Sequence, residues 1–159
     1  RVKHNYFPVV DRDGHYHGLI SKRNLISHEK KNLILVDHNE KSQCVDGFEK
    51  ANILGIIDHH RLGDIETSGP MFFRNQPVGC TATIIYQMYN EAGVTIEKNI
   101  AGIMCCAILS DTLAFRSPTC TSLDKEAATA LAKIAGEDID ALSEEMFEAG
   151  EDLADRTNI

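Results

Sequence analysis

The sequence predicts an α/β domain built on a mainly parallel sheet flanked by helices. Two observations carry that prediction. First, "NLILVDHNE" (32–40) and "ANILGIIDHH" (51–60) are unbroken apolar runs that each end in Asp and His. Runs without polar alternation fit strands buried on both faces of a parallel sheet. Second, the rest of the chain reads as a series of helices, and strand–crossover–strand followed by helices is an α/β order.

The elements follow in chain order. "NYFPVVDRDGHYHGLISKRNLI" (5–26) reads as strand, tight turn at Asp13-Gly14, strand, and a helix capped by Ser21. A charged patch, "SHEKKN", places a boundary near residues 28–31. "CVDGFEKA" (44–51) is a crossover helix between the two apolar strands. "VGCTATIIYQMYNEAG" enters a helix at Gly79 and stops at Gly93, and "IEKNIAGIMCCAILSDTLAF" is a very apolar helix reaching Ser110-Asp111. "SLDKEAATALAKIAG" opens on a Ser cap and stops at Gly136; "DIDALSEEMFEAG" is a short helix, and "EEMFEAGEDLADR" has a solvated polar face.

The 159 residues suit one domain of ordinary size, and 43% hydrophobic with 25% charged residues is enough for a core. A net charge of −8 argues against a surface that coats nucleic acid, which needs a basic stripe. An anionic substrate then needs bound cations. No apolar run approaches a membrane span and no signal peptide is read, so a cytoplasmic protein is expected. Cys44, Cys80, Cys105, Cys106 and Cys120 form no CxxC pair, and an odd count argues for reduced, buried thiols. The chain starts on Arg1 and enters a strand almost at once, which reads as a piece of a longer protein.

Ligands gather at the carboxyl ends of strands in open parallel sheets. The two apolar strands end in Asp37-His38-Asn39-Glu40 and Asp58-His59-His60, so neighbouring strands would aim these groups into one crevice. Two adjacent histidines on a strand face opposite ways, leaving one for a metal and one for a substrate. Asp111 ends a hydrophobic helix, whose burial would hold that carboxylate in the interior, where it needs a cation or strong hydrogen bonds. Asp37, His59 and Asp111, with His60 or His38 nearby, form an oxygen and nitrogen donor set without thiolates, suited to Mn²⁺, Co²⁺ or Mg²⁺. Asp37 and Asp58 read equally as strand-end turn residues or caps, and both readings stand at this point.

"LVDHNE", "IIDHHRLGDIET", "PVGCTATII" and "AILSDTLAFRSPTCTSLDKEAA" together resemble the family II inorganic pyrophosphatases of the DHH phosphoesterase superfamily, from about Asn32 onward. Residues 1–30 resemble the close of a CBS domain, and 31–159 a DHH domain. A CBS piece running into "VDHNE" is the arrangement of the CBS-containing pyrophosphatases. The resemblance implies hydrolysis of pyrophosphate to two phosphates by a two-metal mechanism, with Mn²⁺ or Co²⁺ in the protein and Mg²⁺ on the substrate. It implies that Asp37 bridges the two cations, that His59 and Asp111 complete one site, that His60 is catalytic, contacting the substrate phosphate or positioning the attacking species, and that Asp58 orients the histidines. "GLISKRN" resembles the CBS pattern in which Ser21 and Asn24 approach an adenine nucleotide, so AMP, ADP or ATP would be the regulator. A homodimer is implied as well.

The family's H-x-x-x-D-x-D motif, its lid domain with a basic S-R-K-K segment and the first CBS half are not found in this sequence. These residues alone are therefore expected to turn over little or nothing. Two other classes remain: a DHH phosphoesterase acting on oligonucleotides or cyclic dinucleotides, and a nucleotide-sensing module with a degenerate catalytic remnant. "PVGCTAT" is read mainly as a helix entry packed under the sheet, with anion binding through Gly79, Thr81 and Thr83 as the other reading; Arg116 is expected to face solvent.

Overall fold

The computed structural model describes residues 4–26 and 30–156. Residues 28 and 29 of the boundary predicted near 28–31 lie outside the described residues, as does the start at Arg1. β1 (Tyr6–Val10) and β2 (Tyr16–Ser21) pair antiparallel, and α1 (Lys22–Ile26) follows. The Asp13-Gly14 turn forms as predicted. Gly14 takes φ 85°, and Asp11 Oδ1 accepts from the backbone N–H of Asp13 (3.0 Å) and of His15 (2.9 Å). Ser21 caps α1: its Oγ accepts from the Asn24 N–H (3.1 Å), and the Asn24 side chain accepts from the Ser21 N–H (3.0 Å).

The larger unit holds the predicted parallel sheet. β3 (Asn32–Val36), β4 (Asn52–Asp58) and β5 (Phe72–Asn75) lie side by side in that order, all parallel. β5 was not foreseen. The crossover between β3 and β4 is also not the predicted α-helix. It contains two single 3₁₀ turns, Lys41–Gln43 and Phe48–Lys50. Gly47, at φ 85°, separates them and prevents a continuous helix through "CVDGFEKA".

Four helices complete the unit: α2 (Thr81–Ala92), α3 (Lys98–Asp111), α4 (Ser122–Ala135) and α5 (Ile139–Arg156). The predicted stops at Gly93 and Gly136 are left-handed caps, φ 65° and 71°. The starts differ from expectation. α2 is capped by Cys80, whose sulfur accepts from the Ala82 N–H, and α4 by Thr121, which forms a reciprocal capping box with Asp124. The two segments read near the carboxyl end, "DIDALSEEMFEAG" and "EEMFEAGEDLADR", form one helix.

Helix α4 places Ala127, Ala128, Leu131, Ala132 and Ala135 on one stripe against Ala101, Cys105 and Ile108 of α3. Small side chains let these two helices approach closely, and this contact is the main core. α2 joins that core and packs its other side on β4, where Ile57 meets Val78 and Ile84. Arg74 of β5 reaches across to α2, donating to Glu91 (2.8 Å) and Gln87 (2.9 Å). β3 is left less covered, with Ile34 60% exposed and Val36 45%. The cysteines are all free, but only Cys80 and Cys105 are buried; Cys44, Cys106 and Cys120 are partly exposed, against expectation.

Candidate metal centre

β3 and β4 are adjacent, so the two Asp/His strand ends converge as the sequence implies. The Asp37 N–H donates to the Ile57 carbonyl (2.9 Å), which fixes one strand end against the other. Asp37 itself takes a left-handed backbone, φ 68°, a conformation that aspartate tolerates better than most residues. Its carboxylate stands clear of the strand, 55% exposed, and accepts a hydrogen bond from the Thr81 hydroxyl (2.8 Å).

His59 and His60 lie beyond the last residue of β4, so the alternation of a strand no longer applies to them. Their rings sit side by side, centroids 4.1 Å apart and tilted by 59°, instead of facing apart. Nδ1 of His59 lies 2.9 Å from the Val78 carbonyl, which can only accept, so Nδ1 carries the proton. The Nε2 lone pair is then left facing Asp37 Oδ1 at 3.5 Å. Two acceptors at that separation repel unless a proton or a cation lies between them. Asp37, His59 and His60 each offer a ligand atom, all within 4.8 Å of one another. This donor set fits a divalent cation of intermediate softness.

His60 is held differently. Its Nδ1 donates to Asp58 Oδ1 (2.8 Å), which leaves Nε2 as its free nitrogen. Asp58 is fully buried and also accepts from the backbone N–H groups of His59 (2.8 Å) and His60 (3.2 Å) and from the Asn39 side chain. It therefore orients the His60 ring, whereas the His59 ring is oriented by Val78. Burial raises the Asp58 carboxyl, but the bonds from Asn39, His60 and the two backbone groups outweigh it and leave it below its ordinary 3.8. Asn39, named in the sequence only as part of the strand end and given no role, is 2% exposed and also binds the Arg61 carbonyl (3.0 Å) and the Gly63 N–H.

Asp111 stands at the end of α3 and lines the same cleft, of about 360 Å³, as Asp37, His59, His60, Val78, Gly79 and Thr119. It is exposed to that cleft rather than sunk in the interior. The helix is apolar, but its last turn emerges from the core, and the chain leaves it through Leu113, Ala114 and Phe115, all at positive φ. Cys80 neighbours Asp111; burial, a bond to Asp111 and the charges of Asp111 and Asp37 push its thiol well above the usual range. His38 points away, its Nδ1 on the Val36 carbonyl (3.0 Å). Arg116 is exposed, with its guanidinium 5.8 Å over the Phe147 ring of α5. "PVGCTAT" is the packed helix entry: the Gly79 N–H is bound to Asp124 and the Thr83 hydroxyl likewise. Ser21 and Asn24 are engaged with each other at the start of α1.

A larger cleft, about 480 Å³, opens at the amino ends of the strands near Lys30, Lys41 and Glu66. No converging set of ligand atoms lies in it among the described residues. An exposed Asp11, Asp13, His15 group also exists, and the hairpin turn accounts for its bonds.

The family model "DHH family, N-terminal domain" matches residues 4–108, which include the β3 and β4 ends and both histidines. The chain belongs to the DHH family. This DHH-family chain is 52% identical over 132 residues to a Bacillus mycoides protein named "Probable manganese-dependent inorganic pyrophosphatase", and 51% identical over 134 residues to a Bacillus licheniformis protein of the same name. The alignments cover 83% and 84% of this chain but 43% of each relative, so the chain spans less than half their length. Among solved structures it is similar to "Methanococcus jannaschii putative family II inorganic pyrophosphatase", with TM-score 0.71 and 41% identity over 75% of this chain and 42% of that one.

Two buried carboxylates tie the site to the fold, Asp58 and Asp124. In Asp124, too, burial raises the carboxyl while bonds from Thr83, Thr121 and Gly79 bring it below 3.8. A carboxyl depressed by folding contributes stability that is complete above its unfolded value and disappears as pH falls through its folded value. The DHH-family chain should therefore lose stability below about pH 4, and Asp124→Asn should flatten that loss. Urea unfolding at pH 7 and pH 3 measures it; an unchanged pH slope in the variant refutes it.

Proposed function

We propose that this chain is the greater part of the DHH domain of a manganese-dependent inorganic pyrophosphatase, hydrolysing pyrophosphate to two phosphates. The observation that carries the reading is the His59 Nε2 lone pair set 3.5 Å from Asp37 Oδ1, an arrangement that a cation between them would satisfy. Asp37 and His59 would hold it, with Asp111 approaching from the end of α3. When bound, such cations lower the pKa of a water and neutralise phosphoryl charge. His60, with Nδ1 committed to Asp58, presents Nε2 to the cleft and would hold or pass a proton on a phosphate oxygen. The N-terminus of α2, which opens beside Asp37 at Thr81, adds a favourable field for an anion.

The names of the relatives support pyrophosphate over oligonucleotide or cyclic dinucleotide substrates. The remaining ligands of a two-metal centre would come from the part of the relatives that this chain does not match. Comparing pyrophosphate with a dinucleotide as substrate of the full-length protein tests the choice. For these 159 residues alone we expect little or no turnover; vigorous Mn²⁺-dependent hydrolysis of pyrophosphate by them would refute the division of ligands.

We also propose, from the resemblance, that residues 1–30 belong to a CBS module and that Ser21 and Asn24 meet an adenine nucleotide. The strand–strand–helix order and the joint position of both side chains at the start of α1 are compatible with it. A cytoplasmic homodimer, with Mn²⁺ or Co²⁺ in the centre and Mg²⁺ on the substrate, belongs to the same reading. No described helix is long and apolar enough to cross a membrane. Calorimetric titration with AMP and ATP beside Mn²⁺ separates the enzyme from a pure sensor: nucleotide binding without metal binding favours the sensor.

A further inference from the structure

Asp124 lies on α4, remote in sequence from Asp37 and His59, yet it is joined to His59 by one peptide group. Its carboxylate is fully buried and gathers four donors: the N–H of Gly79 (2.8 Å), the N–H and hydroxyl of Thr121 (2.7 Å each), and the hydroxyl of Thr83 (2.6 Å). The Gly79 N–H and the Val78 C=O belong to the same planar amide. On its far side, that carbonyl accepts the Nδ1–H of His59 at 2.9 Å. The chain of contacts is therefore Asp124 carboxylate, amide 78–79, His59 imidazole.

We propose that Asp124 is a positioning residue that fixes the tautomer and orientation of His59 through this amide. The peptide is rigid, so the N–H cannot turn away from Asp124 without the carbonyl turning away from His59. A carboxylate on the N–H also polarises the amide and makes its carbonyl a stronger acceptor. The outcome resembles the carboxylate–histidine pairs that orient metal ligands, with a peptide interposed. The same segment serves the other ligands: Thr81 donates to Asp37 and Cys80 neighbours Asp111. Gly79 is required for the geometry. A Cβ there would lie 2.7 Å from Thr112 Cγ2 and 2.9 Å from Asp124 Oδ2.

The inference rests on the metal-site reading only for its consequence, so the primary readout is taken without metal. Histidine ¹⁵N spectra of the metal-free chain at about pH 8.5, where imidazoles are neutral, report the tautomer, with His59 assigned through His59→Gln. The wild type should show His59 as the single Nδ1–H form. Asp124→Ala should lose that form. Asp124→Asn should retain it, because the amide oxygen still accepts from Gly79 and the NH₂ can donate to Thr83. Should Asp124→Ala fail to fold, Gly79→Ala tests the same amide with the carboxylate in place and should also lose the form. Thr121→Ala removes one hydroxyl donor and the α4 cap but leaves the Gly79 and Thr121 N–H bonds and the Thr83 bond to hold Asp124, so it should lower stability and leave the tautomer alone. Mn²⁺ affinity should fall about 10–100-fold in Asp124→Ala and not in Thr121→Ala. An unchanged tautomer in the folded Asp124→Ala or Gly79→Ala chain, or the same change in Thr121→Ala, overturns the proposal. A full-length wild type with the Nδ1–H form that binds no Mn²⁺ counts against the hydrolase reading alone.

Discussion

Asp37→Ala in the full-length protein should abolish two-metal occupancy and lower pyrophosphate hydrolysis by about a thousandfold or more. Charge neutralisation by a catalytic cation is worth several kcal/mol in the transition state, and each 1.36 kcal/mol is a factor of about ten. Asp37 is suited to a bridging role by its position. It caps β3, its backbone is tied to Ile57, and its carboxylate is aimed by Thr81 into the space facing His59 Nε2. Because the side chain is 55% exposed, its removal should cost little stability, so lost activity will not reflect unfolding. Asp37→Asn provides the control, since asparagine also tolerates the left-handed backbone at φ 68°. Activity and metal stoichiometry are measured together. Full retention of both in Asp37→Ala would sink the metal assignment.

Gly63→Ala should have the largest effect on stability, about 2 kcal/mol or more, as expected for overpacking beside a buried polar network. An added Cβ would overlap the main-chain carbonyl of Asn39 and come within 2.7 Å of its side-chain oxygen and of Glu40 Cγ. A backbone carbonyl cannot swing aside as a flexible side-chain tip can. Asn39 would have to move, and with it the amide that holds Asp58 and the Arg61 carbonyl. The disturbance therefore reaches His60, which Asp58 orients. The midpoint of urea unfolding measures the effect, and a wild-type midpoint would show that the 39–63 contact is loose.

Much of this was legible in the sequence because it depends on local pattern. The apolar runs 32–36 and 52–58 gave adjacent parallel strands, and their shared Asp/His endings placed Asp37, His59 and His60 in one cleft. What escaped depends on contacts between distant residues. Asn39 and Asp58 are 19 positions apart, and Asp124 and Gly79 are 45 apart; nothing in either neighbourhood marks them as partners. β5 has only four residues and follows a long loop, so it carries too little periodicity to stand out. Asp111 was misjudged because an apolar helix says nothing about which way its last turn points. The crossover was misjudged because Gly47 at positive φ outweighed the helical pattern around it.

The origin of the three candidate ligands at the ends of β3, β4 and α3 has a thermodynamic consequence. Asp37, His59 and Asp111 are separated by 22 and 52 positions along the chain (59 − 37 and 111 − 59). A cation held by all three would close both loops at once, as a reversible cross-link that the unfolded chain cannot keep. Folding and metal uptake then become one linked equilibrium. Saturation at a hundred times the dissociation constant adds about 2.7 kcal/mol to the native state, and the melting temperature becomes a gauge of free metal.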